Sequence, residues 1–389
     1  VTSKYCPFGF AEMPADFINA YVLGSLGATG TSMGACASFL YNLRQGIQDI
    51  RSGKSRAVIV GASEAPLTPE VFEGYRIMGA LAEDEALSKL DGGGATDHQR
   101  ACRPFGDNCG FTLAEASQFI VLFDDELAVE MGANIYGSVA DVFINADGFK
   151  KSIPGPGIGN YLTVGKSLGV IRAILGEKAM RQRTYIQAHG TGTPQNRVSE
   201  SHIFNELAKT FHLEKWPVAA IKAYLGHSLA TAAGDQIAAS LGAWAHGIIP
   251  GVTTIDRIAD DVHHSHLDIL LKHQTFDPLQ MDATLINAKG FGGNNATAAI
   301  LSPHVTTNML AKKHGANAMK QHSQRNENVQ AQATAYDIAT TAGHNALIYK
   351  FGLGVIDGEQ LELTDQAIAI PGHTQTISLA IPNPYEDMT

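Results

Sequence analysis

An α/β fold, with a largely parallel sheet and helices on its faces, is what this sequence predicts, on two grounds. Short apolar runs alternate with amphipathic stretches along most of the chain, and such alternation builds strand–helix–strand units. The composition agrees. At 389 residues, 44% hydrophobic and 17% charged with 40 glycines, the chain can bury one large core or two ordinary ones.

Taken in order, residues 15–23 form a short helical pattern in a loop-rich start. Phe39, Leu40, Leu43, Ile47 and Ile50 recur at helical spacing, with Gly53 as a stop. Residues 56–62 and 119–123 are apolar runs expected as buried strands. Between them, residues 79–110 are rich in glycine and charge, and Gly92, Gly93 and Gly94 mark a surface loop. Asp124 is a cap for a short helix that stops at Gly132. A strand over 135–145, a rigid loop over 154–157 and an amphipathic helix over 161–175 follow. The second half repeats the alternation, with strands at 185–188, 218–221, 283–288 and 296–301 and helices at 198–211 and 229–245.

After Pro303 the character changes. Residues 304–344 are rich in Gln, Asn, His and Ala and read as a polar linker, partly helical at most. Residues 345–389 read as a β-rich extension, with Asp357-Gly358 as a hairpin turn and Ile368, Ile370, Ile377, Leu379 and Ile381 on one face. The expected organisation is two halves, 1–150 and 151–303, followed by linker and extension.

Composition also excludes function classes. A formal net charge of −10 without a long basic block argues against a nucleic-acid partner. No apolar run is long enough to cross a bilayer, and no basic-then-apolar leader opens the chain. Cys6, Cys36, Cys102 and Cys109 have neither zinc spacing nor the density of a disulfide scaffold, so a reducing, cytoplasmic setting is expected. The start at Val1 without Met suggests a processed or truncated chain.

Four loops carry the chemistry. Cys36 ends a run of small residues from Gly27 and leads into the first long helical pattern. A thiol at such a junction meets free amides and a helix dipole, which favour the nucleophilic thiolate. An inert buried cysteine fits the same residues. His189 emerges at a strand end in Gln187-Ala-His-Gly-Thr-Gly-Thr-Pro194, and His227 follows Lys222 in Lys222-Ala-Tyr-Leu-Gly-His-Ser228. Asn287-Ala-Lys-Gly-Phe-Gly-Gly-Asn-Asn295 has the glycines that let backbone amides approach a ligand. In α/β sheets, ligands gather at the carboxyl ends of strands, so these loops are expected to converge. One thiol and two histidines suggest covalent acyl chemistry with an oxyanion hole.

In that order, the four motifs resemble the β-ketoacyl-acyl carrier protein synthases, the decarboxylating condensing enzymes of the thiolase-like superfamily. The resemblance covers about residues 3–302. It implies a layered αβαβα architecture with Cys36 as acyl-accepting nucleophile. His189 and His227 would promote decarboxylation of a malonyl thioester, supported by Lys222 with Glu200 as its acidic partner. It further implies that Phe291 is a gate, that the amides of Cys36 and Phe291 form the oxyanion hole, and that Thr191 and Thr193 hold a phosphopantetheine arm. The implied partners are acyl carrier protein and a second copy of the chain, with no metal and no organic cofactor.

The sequence also departs from that pattern. Only 35 residues precede Cys36, so the N-terminal half is expected to be incomplete, either because the chain is a fragment or because another polypeptide supplies the missing layer. Arg197 stands where an Asp is usual, which bears on the Glu200–Lys222 network. Leu113–Ser117 replaces a glycine-rich segment, and Lys289 replaces an aromatic near the gate. Arg44, Arg51, Lys54, Arg56, Lys150 and Lys151 are candidates for meeting an acidic carrier protein. The Asp261–His266 cluster reads as a solvated loop, and Cys102 and Cys109 as plain thiols. The competing functions are a polyketide-type ketosynthase, a non-catalytic partner subunit, a non-decarboxylating thiolase and a cysteine hydrolase.

Overall fold

The computed structural model describes residues 9–152, 155–344 and 348–389. Pro154, the start of the expected rigid loop, and residues 345–347 lie outside the described residues. Among the described residues, those from 9–15 and 27–344 form one compact unit, and those from 16–26 and 348–389 form another. The expected boundaries near 150 and 303 do not separate compact units.

A short helix α1 (Met13–Ile18) comes first, and α2 (Ser38–Arg51) buries Phe39, Leu40, Leu43 and Ile47 at the expected spacing. Strand β1 (Ala57–Glu64) follows, then α3 (Pro69–Ile77) and α4 (Asp84–Leu90). The glycine- and charge-rich segment 79–110 carries more than the loop at Gly92–Gly94. It contains α4, and Ala101, Cys102, Arg103 and Phe105 are buried, while Gly92–Gly94 stay exposed. Strand β2 (Ala116–Phe123) pairs antiparallel with β1, and the Asp124 side chain caps α5 (Asp125–Met131), which ends at left-handed Gly132.

Next come β3 (Ser138–Ala146), α6 (Gly159–Leu175), α7 (Glu177–Gln182) and β4 (Thr184–Gln187). Helix α8 (Pro194–Thr210), β5 (Trp216–Ala219), α9 (Lys222–Leu225) and α10 (Ala232–His246) lead to short strands β6 (Ile248–Ile249), β7 (Leu267–Ile269) and β8 (Gln274–Thr275). Strands β9 (Ala283–Gly290) and β10 (Asn294–Leu301) form a tight hairpin. The main sheet has the order β3-β10-β9-β4-β5-β7. Pairs β9–β4, β4–β5 and β5–β7 are parallel, but β10 runs antiparallel to both neighbours. The sheet is thus mixed, because the turn at 290–294 is too short for the crossover that parallel strands need.

Helices α2 and α10 lie between this sheet and the β1–β2 pair, while α6 and α8 cover its other face. The described residues thus place strands in two layers, the β1–β2 pair and the six-stranded sheet that begins with β3, with helices between and outside them. The outer face of β1–β2 shows half-exposed Ile59, Phe119 and Val121.

The expected polar linker is a helix, α11 (Pro303–Thr341), interrupted by non-helical Gly315. It has little apolar stripe, with only Val305, Thr306, Leu310 and His322 buried. Side-chain bonds hold it instead. Lys313 and His314 meet Asp125, Arg325 donates to the Glu130 carbonyl, and Asn326 donates to the Gly132 carbonyl. In the smaller unit, Asp357 and Gln360 form a capping box around a single 3₁₀ turn, so Asp357-Gly358 is not a hairpin. Strands β11 (Glu362–Leu363), β12 (Ala367–Ala369) and β13 (Ile377–Ser378) make a small antiparallel sheet with Ile368 opposite Ile377. Phe17, Tyr21, Tyr349 and Phe351 cluster in the same unit.

Candidate active site

The four loops converge where strands β4, β5 and β9 end beside the start of α2. Ala35 adopts a left-handed φ of 50° just before Cys36, and Ser38 pins the turn by accepting from the Gly34 N–H and donating to the Ala35 carbonyl. Gly290 packs directly on this turn. A Cβ there would lie 2.0 Å from the Gly34 carbonyl oxygen, so only glycine brings the 290–293 loop this close. In consequence the Phe291 N–H reaches the Cys36 sulfur, as does the N–H of Cys36 itself. The Phe291 side chain is 49% exposed, at the rim.

The thiolate expected from the helix N-terminus is not favoured. Burial pushes the Cys36 thiol up to about 11, against the Lys222 ammonium and the Phe291 N–H. Cys36 precedes the first helical residue, Ser38, by two positions, and there desolvation outweighs the dipole.

The rings of His189 and His227 stand edge to face, 5.3 Å between centroids, and both are buried. Burial, reinforced by Lys222, holds both imidazoles well below their ordinary value, so they are neutral. The His227 Nδ1 accepts the Leu229 N–H, which leaves the proton on Nε2. Leu229 has a left-handed φ of 51°, and its neighbour Ala230 donates to Glu64 Oε2 at 3.0 Å. Segment 112–114, which runs into the departure at 113–117, brackets His227. Thr112 accepts its N–H at 2.7 Å, and its carbonyl accepts from Ala114. Phe111 meets the His227 ring edge to face, 5.2 Å between centroids, and it also lines a cleft of about 400 Å³ with Phe72, Leu81 and Leu113.

The expected Glu200–Lys222 ion pair does not form. Lys222 is buried and its Nζ has no hydrogen-bond partner among the described residues; burial lowers it, while Glu200 and Cys36 favour its charge. Glu200 binds backbone and amides instead. Its oxygens accept the N–H of His189 at 2.7 Å and of Gly190 at 2.9 Å, and side-chain N–H groups of Asn196 at 2.9 Å and Asn287 at 2.7 Å. Arg197 turns away to grip Asp261 with two bonds, so it takes no part in this cradle. Thr191 and Thr193 face one another at 3.2 Å, and Thr193 opens α8.

Several of the proposed basic contacts are occupied. Arg44 and Arg51 donate to carbonyls of β3, Arg56 pairs with Asp124, and Lys150 is turned inward against Asp147. Gln236 was not foreseen. Its Nε2 serves the carbonyls of Gln187, Ala188 and Asn287, tying the β4 and β9 loop stems to α10. The only sequence signal is a polar pair, Asp235-Gln236, in an alanine-rich helix.

Comparisons with known proteins give the family and the fold. The family described as "Beta-ketoacyl synthase, N-terminal domain" matches residues 10–128, and "Beta-ketoacyl synthase, C-terminal domain" matches residues 136–256. A beta-ketoacyl-[acyl-carrier-protein] synthase, FabY, of Pseudomonas aeruginosa is 50% identical over 388 residues. The alignment takes in all of this chain and 61% of the relative, so the chain spans about three fifths of that protein's length. The crystal structure of that noncanonical ketosynthase superposes with a TM-score of 0.96, again over 100% of this chain and 61% of the other. A 3-oxoacyl-[acyl-carrier-protein] synthase 2 of Synechocystis is 28% identical, covering 76% of this chain and 68% of the relative. A ketosynthase solved in complex with a type II polyketide acyl-carrier protein shares the fold at a TM-score of 0.65 and 22% identity, over 78% and 69% of the two chains.

Proposed function

The chain belongs to the β-ketoacyl synthase family, and from that premise we propose that it condenses an acyl group with a malonyl thioester on acyl carrier protein, as in fatty-acid synthesis. The observation that carries this reading is two neutral, buried imidazoles and a buried lysine gathered with one thiol at which two backbone amides point.

In this reading the minor thiolate form of Cys36, which the Lys222 ammonium favours against burial, attacks an incoming acyl thioester, and the carrier thiolate leaves and takes up the proton that the Cys36 thiol gave up. The malonyl thioester then loses carbon dioxide. The electrons of the breaking bond pass to an enolate whose oxygen accepts N–H bonds from His189 and His227. The enolate carbon attacks the Cys36 thioester, the Cys36 and Phe291 amides hold the tetrahedral oxyanion, and collapse expels the thiolate. Loss of carbon dioxide supplies the carbanion, so no external base, metal or organic cofactor is needed. Thr191 and Thr193 would hold the phosphopantetheine arm. Glu200 serves by holding the His189 peptide rather than by pairing with Lys222. The cleft that Phe111 lines is a candidate acyl pocket, and a homodimer is expected. No described helix is long and apolar enough to cross a membrane.

Incubation with labelled acyl donor and malonyl-carrier protein should yield labelled β-ketoacyl product, and Cys36→Ala should lose both labelling and product. Free acid as the product would favour a hydrolase. Labelling that persists in Cys36→Ala would remove Cys36 from its role.

A further inference from the structure

Lys289 is the one departure near the gate that puts a charge into the interior. It sits on β9, one residue before the Gly290 turn, and burial lowers its ammonium from the ordinary lysine value while Glu200 and Asp147 favour its charge. Its Nζ donates to Asn196 Oδ1 at 3.1 Å and to Ser199 Oγ at 3.2 Å. The other end of the same amide, Asn196 Nδ2, donates to Glu200 Oε2 at 2.9 Å. Asn196, Ser199 and Glu200 lie at i, i+3 and i+4 on α8, so all three share one face toward β9.

We propose that Lys289 is a positioning residue for the condensation, fixing the Asn196 amide so that it completes the Glu200 cradle which holds the His189 peptide. The argument is one of donor and acceptor identity. An ammonium only donates and a carboxylate only accepts, so an amide lying between them has one orientation that satisfies both. Without the ammonium, Oδ1 loses its partner and the amide can turn, taking an N–H from a fully buried carboxylate. Glu200 then holds the His189 and Gly190 amides less rigidly, and the imidazole that must meet the enolate oxygen moves with them. The charge of Lys289 also acts directly on His189, helping to keep that ring neutral. An aromatic side chain at 289 could do neither. This inference rests on the condensing role proposed above.

The test uses the full chain with Lys289→Met and Lys289→Arg. Lys289→Met should lower kcat for condensation by about tenfold to a hundredfold, with the KM for malonyl-carrier protein changed less than about threefold. Lys289→Arg should recover most of the loss. By nuclear magnetic resonance without substrate, the His189 ring should titrate at higher pH in Lys289→Met than in the parent, and the Asn196 side-chain amide signals should shift. Asn196→Leu cuts the same link while leaving the ammonium, and it should reproduce the kcat loss. The proposal is overturned if Lys289→Met leaves kcat and the His189 titration unchanged, if Lys289→Arg is no better than Lys289→Met, or if Asn196→Leu has parental kcat. The substrate-free signals test Lys289 by themselves, whereas a parent chain that makes no β-ketoacyl product would overturn the condensing role instead.

Discussion

Glu200 holds the peptide of His189 at 2.7 Å and makes no contact pair with Lys222. A buried carboxylate with four N–H donors positions a loop, and its charge is felt by the lysine only through space. Glu200→Gln replaces one acceptor oxygen with an NH₂ that faces an N–H group. We expect a stability loss of about 1–3 kcal/mol, from the unmade bonds, together with slower condensation. Thermal unfolding alongside product formation checks both, and an unchanged melting temperature would show that the cradle contributes nothing.

The Cys36 thiol, pushed up to about 11 by burial, should alkylate slowly at neutral pH, with a rate that climbs through the alkaline range. Lys222 opposes that shift. Lys222→Met should therefore slow iodoacetamide labelling of Cys36 at any fixed pH below 11. Faster labelling in the variant would mean that the lysine does not favour the thiolate.

His189 and His227 are held below the ordinary imidazole value by burial and by Lys222. In the unfolded chain they take up protons near pH ~6.5, while the folded chain resists. Their depressed values thus cost nothing above that pH and destabilise progressively as pH falls below it. The melting temperature of the parent should decline between about pH 6.5 and 5, and a His189→Gln/His227→Gln double variant should decline less over the same window. Parallel curves would count against buried neutral histidines.

Gly290→Ala drives a methyl into the Gly34 carbonyl, 2.0 Å away. The loop must retreat, and the Phe291 N–H leaves the Cys36 sulfur. A displacement of about 1 Å at a reacting centre costs on the order of a hundredfold in rate, so condensation should fall by that much while the circular dichroism spectrum stays parental. Retained activity would show that the two turns do not need this approach.

The chemistry-bearing loops were legible because each pairs a reactive side chain with glycines or a helix start, patterns that local backbone geometry enforces. Helix α2 and the Asp124–Gly132 helix were legible from apolar spacing and caps. Helix α11 was not, because its anchors are polar side chains reaching the carbonyls and acids of α5, and such bonds leave no periodic apolar trace. Gln236 escaped for a related reason. Its three acceptors are backbone carbonyls about fifty residues away, set only once α10 packs on the sheet.

By itself, then, the sequence determined the alternating α/β chain, the identity of the thiol, the two histidines and the lysine, and the family to which their order belongs. Only the tertiary structure decided what those groups do to one another. It raised the thiol that the helix start was expected to acidify, turned Glu200 from Lys222 to the His189 peptide, and brought Lys289 to Asn196. Desolvation and hydrogen-bond partnership are properties of packed neighbours far apart in the chain, and local sequence does not encode the distances that set them.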